Sequence, residues 1–211
     1  MAITIKDMLL TPNKWSRPQT KIGTIKNIVV HWIGNAGSTA ENNAKYFDSL
    51  KDGRGTYASS HYIIGNDGMV IRCVPENEVA YHASSANNYS IGIEVCHPDN
   101  TGKYTDAAYK ALVELLVDLC KRYKLEPTQA IIRHYDVSGK DCPRYYVKNT
   151  EEWKRLKQDV EDAISKDEEL ENAVKVLQEK GIISSPEVWI KGNYSVSSVR
   201  ALVVKTANYI K

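Results

Sequence analysis

Short apolar runs rich in β-branched residues alternate along this chain with stretches of helical periodicity, and that alternation limits the fold more than any other feature. IKNIVVHWIGN stops at Gly34-Asn35 and reads as a buried strand carrying His31 near its end. SSHYIIGNDGMVIRCVP is two apolar runs around Asn66-Asp67-Gly68, a hairpin signal. YSIGIEVCHP and TQAIIRH read as further strands, the first interrupted by Glu94 and the second ending at His134. Between these, STAENNAKYFDSLK opens on a Ser/Thr cap candidate and closes before Asp52-Gly53, as a helix does. Ala108, Leu112, Leu115, Leu119 and Tyr123 recur at helical spacing, with Lys121, Arg122 and Lys124 at the end that favours cations. TEEWKRLKQDVEDAI is a later amphipathic helix. The pattern predicts an α/β fold: a mixed central β-sheet flanked by helices. Sites in such folds gather in the loops beyond strand ends.

After about Ser165 the texture changes, and SKDEE reads as a charged link to a small all-helical C-terminal domain. Leu170, Val174 and Leu177 mark a short helix ended by Gly181. Ser185-Pro186-Glu187 starts a helical turn carrying Trp189. Val196, Val199, Val203, Ala207 and Ile210 stripe a final helix after the cap candidate Ser195. Domains are therefore expected at residues 1–164 and 165–211. A piece as small as the second is marginal alone. It is expected to dock on the main domain or on a second copy of itself, which would make a homo-oligomer through these helices.

A net charge of +2 supplies no strong field for nucleic acid. No apolar run approaches the roughly 18 residues of a membrane span, so no membrane insertion is expected. MAITIKDMLLTPNKWSRPQT lacks the basic start, apolar core and cleavage site of a secretory signal, so synthesis in the cytosol is expected. Cysteines stay reduced there. Cys120 lies in a helical pattern, and Cys73 and Cys96 near strand ends; all three read as small core residues. Cys142 stands apart, in a polar loop between Asp141 and Pro143.

That loop belongs to IIRHYDVSGKDCPRYY, which places His134, Lys140 and Cys142 close together. Alone, the stretch is equally well a strand followed by a polar loop. Taken with His31, it offers two imidazoles and a thiolate, a set that suits one tetrahedral Zn2+ per chain and leaves a fourth position for water. Glu94 is an acid in an apolar strand, costly to bury without a purpose, and so a candidate proton acceptor. Its plain alternative is a strand-edge carboxylate facing water. Lys140 can set a cation beside a developing oxyanion, or be an ordinary exposed loop lysine.

IVVHWIGN, SSHYIIGNDGMVIRCVPENEVAYHA, SIGIEVC and RHYDVSGKDCP, in this order, resemble the zinc-dependent N-acetylmuramoyl-L-alanine amidases of the amidase-2 family. That family includes bacteriophage endolysins, bacterial autolysins and peptidoglycan recognition proteins, and the resemblance covers roughly residues 14–160. It implies peptidoglycan as partner, and hydrolysis of the amide between N-acetylmuramic acid and the L-alanine of the stem peptide. It also implies His31, His134 and Cys142 as zinc ligands, Glu94 as acid/base and Lys140 as oxyanion stabiliser. Ser60 precedes His61 where one branch of the family has a catalytic tyrosine, so Glu94 marks the glutamate-using branch. His82, in YHA, is implied to line the substrate groove. His61 reads as shaping the site or packing beneath it, with substrate contact the lesser role, and His97 as a surface loop residue. The competing reading is a non-catalytic peptidoglycan-binding module; such relatives typically lack the cysteine that Cys142 supplies here. With no export signal, the resemblance implies a phage or prophage endolysin that reaches the cell wall after release. The last domain would then target the wall, with Trp189, Tyr194 and Tyr209 stacking on sugars or simply filling a helical core.

Overall fold

The computed structural model describes residues 3–53 and 55–210, so the outermost residues of both expected domains lie outside the described residues. Six strands, β1 (Ile5–Asp7), β2 (Asn27–Trp32), β3 (Tyr62–Ile64), β4 (Val70–Arg72), β5 (Ser90–Val95) and β6 (Ile131–Arg133), form one mixed sheet in the order β1-β4-β3-β5-β2-β6. β3 and β4 pair antiparallel, around a turn in which Gly68 takes a φ of 84°. The other neighbours run parallel. β2 lies between β5 and β6, and its Ile28, Val29 and Val30 are fully buried, each contributing about 2 kcal/mol of apolar burial. The expected sheet is thus present.

The helices begin where side chains can cap them. Thr39 Oγ1 accepts from the Asn42 N–H to open α1 (Ala40–Ser49), and Thr105 Oγ1 accepts from the Ala108 N–H to open α2 (Asp106–Tyr123). Ala108, Leu112, Leu115 and Leu119 of α2 are buried, as their spacing predicts. TQAIIRH is only half strand. Pro127 opens a one-turn helix, α3 (Pro127–Ala130), because its fixed φ and missing N–H suit a first helical turn. Two short helices follow β6: α4 (His134–Ser138) and α5 (Arg144–Lys148).

The charged link expected at SKDEE is helical. α6 runs unbroken over Thr150–Glu179 and takes in both the last amphipathic helix and the Leu170/Val174/Leu177 helix. Lys, Asp and Glu form helix readily enough, and no Gly or Pro intervenes before Gly181, which takes a φ of 67°. By contact density the chain divides into Ile3–Glu161 and a unit from Asp162 onward. In the second unit Val174, Ile182 and Ile183 form a small apolar cluster with Leu177, Trp189 and Leu202. α7 (Pro186–Ile190) carries Trp189, and α8 (Val196–Ile210) turns Leu202 to the cluster while Val196 and Ile210 stay 88% and 77% exposed. Among the described residues no helix is long and apolar enough to cross a membrane. All four cysteines are free and buried.

Candidate metal centre and active site

Two parallel strands and the turn after a third bring the candidate residues together. His31 is the penultimate residue of β2, and Glu94 is its paired position on β5. His134 is the first residue beyond β6, where the Asp136 carboxylate accepts from the Arg133 N–H (2.8 Å) and from its guanidinium (2.6 Å) to hold the turn. Gly139, with a φ of 73°, then ends α4 and sends the chain back. The Tyr135 N–H donates to the Cys142 carbonyl at 2.8 Å, which draws Cys142 over the start of the same helix.

These turns place three donor atoms in one buried cluster. His31 Nδ1 lies 3.1 Å from His134 Nδ1 and 3.7 Å from Cys142 Sγ, and one donor atom from each residue falls within 4.8 Å of the others. Tetrahedral zinc with ordinary bond lengths sets its N···N and N···S ligand pairs roughly 3.3 and 3.6 Å apart. The donor set therefore fits zinc in both chemistry and spacing.

Burial dominates the electrostatics. It holds the His31 and His134 imidazoles below their ordinary range, His31 further because His82, His134 and Lys140 oppose a positive charge there. Burial, helped by the Glu94 charge, pushes the Cys142 thiol up to about 12, so the sulfur keeps its proton unless a metal cation displaces it. Burial likewise raises the Glu94 carboxyl to about 8 against the pull of Lys140, and its Oε2 is shut from water with no hydrogen-bond partner. Lys140 itself is exposed, yet its charge acts on all four groups.

Glu94 opens onto a cleft of about 590 Å³, walled by the loop from Ile33 to Ser38 and by Asn42, Asn43, Tyr46 and Phe47 of α1. Nothing in the sequence pattern pointed to this wall, since STAENNAKYFDSLK reads simply as a capped helix. His82 and His61 are not among the lining residues. His82 meets the other side of the His31 ring, Nδ1 to Nε2 at 3.1 Å. His61 is fully buried; its Nδ1 accepts from the Gly92 N–H (2.9 Å) and its Nε2 faces the Glu78 carbonyl (3.0 Å), so both nitrogens are taken by backbone. His97 is not a surface residue. It is 1% exposed, stacks on Trp32, and spans the carbonyls of Ile33 (2.5 Å) and Asp99 (2.6 Å). Tyr104, which the patterns did not single out, is buried and donates to the His31 carbonyl at 3.0 Å.

Comparison with known proteins points the same way. A family model described as N-acetylmuramoyl-L-alanine amidase matches residues 21–145. The N-acetylmuramoyl-L-alanine amidase BlyA of Bacillus subtilis (strain 168) is 31% identical over 173 residues, which cover 72% of this chain and 46% of BlyA. The chain spans about half the length of the curated relatives it matches first. Among solved structures, PlyL superposes with a TM-score of 0.65 at 22% identity, over 75% of this chain and 97% of that one. The catalytic domain of XlyA does so with a TM-score of 0.62 at 25% identity, over 75% and 99%.

Proposed function

This chain belongs to the N-acetylmuramoyl-L-alanine amidase family, and from that premise we propose that it hydrolyses the amide joining N-acetylmuramic acid to the L-alanine of the peptidoglycan stem peptide. The observation that carries this is the cluster of His31, His134 and Cys142 donor atoms within 4.8 Å, with the unpartnered Glu94 carboxylate on the paired position of the next strand.

In this proposal His31, His134 and Cys142 hold one zinc ion. Zinc so held would polarise the scissile carbonyl and bring the pKa of a bound water down to about 7. Glu94 takes a proton from the attacking water and then gives it to the leaving alanine nitrogen. A carboxyl that burial has moved to about 8 can do both near neutral pH. The Lys140 cation favours the negative charge that develops on the carbonyl oxygen. The cleft beside Glu94 receives the stem peptide, its Asn and Ser side chains offering hydrogen bonds to peptide groups.

For the second unit the proposal is wall targeting by residues 165–211. The half-exposed Tyr194 ring, stacked on Trp189 with centroids 5.1 Å apart, supports it as an aromatic group within reach of a sugar, while Trp189 itself packs on the apolar cluster. Phage or prophage origin, with action on the wall after release, completes the proposal.

Mass spectrometry of purified wall incubated with the zinc-loaded chain tests the activity. The expected products are free stem peptides beginning at L-alanine and glycan that keeps its lactyl groups. Fragments cut at any other bond, or wall left intact, would remove the amidase assignment. A chain ending at Ile164 is expected to keep bond specificity but bind whole wall more weakly; equal binding would refute targeting.

A further inference from the structure

We infer that His82, seated in space that Gly92 leaves open, is a positioning residue that holds the His31 ring through a hydrogen bond so that His31 offers its Nδ1 to the metal. This rests on the zinc reading above, and gives His82 a task other than the groove-lining one that family resemblance implies.

The proton positions follow from one fixed acceptor. Ser90 Oγ lies 2.6 Å from the Ala86 carbonyl, which can only accept, so the Ser90 hydroxyl proton is committed there. The same oxygen lies 3.4 Å from His82 Nε2, and with its hydrogen used it serves as acceptor, so Nε2 carries the proton. The ring packs against His31 and His61, and its 3.1 Å contact from Nδ1 to His31 Nε2 needs one donor and one acceptor; with the His82 proton on Nε2, the lone pair sits on Nδ1. That lone pair faces His31 Nε2 at 3.1 Å, which makes Nε2 the protonated nitrogen of His31. His31 Nδ1 is then bare, and it is the atom that faces His134 Nδ1 and Cys142 Sγ. A metal-bound imidazole characteristically donates its other N–H to an acceptor, commonly a carboxylate, carbonyl or water, which fixes the ring's tautomer and direction; here the His82 Nδ1 lone pair takes that place.

Gly92 explains how the ring comes to lie there. A Cβ on Gly92 would stand 2.4 Å from His82 Cγ and 2.7 Å from both Cδ2 and Nδ1. Glycine inside a strand ordinarily weakens it, and here the missing side chain is the seat of an imidazole. The backbone fastens the ring from behind: the N–H groups of His82 and Ala83 both donate to Asn87 Oδ1, at 3.0 and 2.7 Å.

Zinc affinity by competition with a chromophoric chelator tests this on the full chain, with no activity assay. His82→Ala removes the acceptor. His82→Asn keeps an oxygen close to where Nδ1 stands. Gly92→Ala keeps the imidazole but pushes it from its seat. Loss of an outer-shell partner of this kind weakens metal binding about 10–100-fold. His82→Ala and Gly92→Ala are expected to fall in that range, while His82→Asn recovers most of the loss. Wild-type affinity in both His82→Ala and Gly92→Ala would overturn the inference. Nitrogen-15 NMR of the metal-free wild-type chain gives an answer that does not depend on how the variants fold. A His31 Nε2–H coupled across the hydrogen bond to His82 Nδ1 is expected, and a His31 protonated at Nδ1 instead would overturn the inference. Wild type that binds no zinc but shows this coupling would sink the zinc reading and leave the hydrogen bond standing.

Discussion

His31 and Glu94 are directly paired across neighbouring parallel strands β2 and β5, so their side chains rise from the same face of the sheet. The register that zips Ile28 to Ile91 and Val30 to Ile93 therefore also delivers the carboxylate to the candidate metal ligand. A slip by one residue would send Glu94 to the opposite face. Glu94→Gln keeps this register and the side-chain shape while removing the proton acceptor. Zinc content should stay at one ion per chain while kcat falls about 10²–10⁴-fold, read as release of stem peptide from soluble wall fragments. Activity within a few-fold of wild type would take Glu94 out of the mechanism.

The same carboxyl should leave a mark on stability when metal is stripped with chelator. Burial raises it from 4.5 to about 8, so between these values the folded chain holds a proton that the unfolded chain has lost. Its contribution is thus full below about pH 4.5 and disappears as pH rises through 8. Glu94→Gln, neutral throughout, should melt close to wild type at pH 5 and above it at pH 8.5. Parallel melting curves at the two pH values would show that the carboxylate is not penalised in the fold.

The Lys140 side chain acts on the cluster through its charge, from an exposed loop position. Lys140→Met keeps length and apolar stem and deletes only the cation. Removing one group that stabilises an oxyanion costs about 10²–10³ in rate. The expected signature is a fall in kcat of that order with KM little changed. A change confined to KM would instead make Lys140 a ground-state contact to substrate.

Much of the first unit was legible because its signals are local. β2 and β5 are β-branched or apolar runs with a polar residue breaking each near its end, α1 opens on a threonine cap, and α2 carries an apolar stripe with cations in its last turn. His31, His134 and Cys142 stood out by residue type and by resemblance. What escaped depends on partners far along the chain. β1 is three residues on the sheet edge, half-exposed and held by β4, with too little pattern to register. His97 follows an apolar strand and precedes Pro98-Asp99-Asn100, a polar turn, and it is buried because the Ile33 carbonyl and Trp32 close over it. The α6 link failed for the reverse reason. Alternating Lys, Asp and Glu suit solvated helix as well as solvated loop, and only Gly181 supplies a stop.

Glu76 ties α2 to the sheet and provides a stability test remote from the candidate centre. Its carboxylate accepts from both Arg122 nitrogens (2.6 and 2.7 Å), from the Tyr123 hydroxyl (2.5 Å) and from the Tyr62 hydroxyl of β3. Burial works against this carboxylate, its side chain being 14% exposed, yet the hydrogen bonds from Arg122, Tyr123 and Tyr62 prevail and hold the pKa at about 2. A carboxyl depressed on folding adds stability that is fully present above its unfolded value of about 4.5 and is lost as pH falls through 2. Glu76→Gln leaves the Arg122 guanidinium with Asp118, 2.8 Å away, as its remaining carboxylate partner, and should cost about 1–3 kcal/mol at pH 7, measured by urea unfolding of the metal-free chain. At pH 2.5 wild type has lost much of the same contribution, so the gap between the two chains should shrink to a fraction of its neutral value. An equal gap at both pH values would mean that the hydrogen-bonded shape of the side chain, and not its charge, clamps α2 to β3.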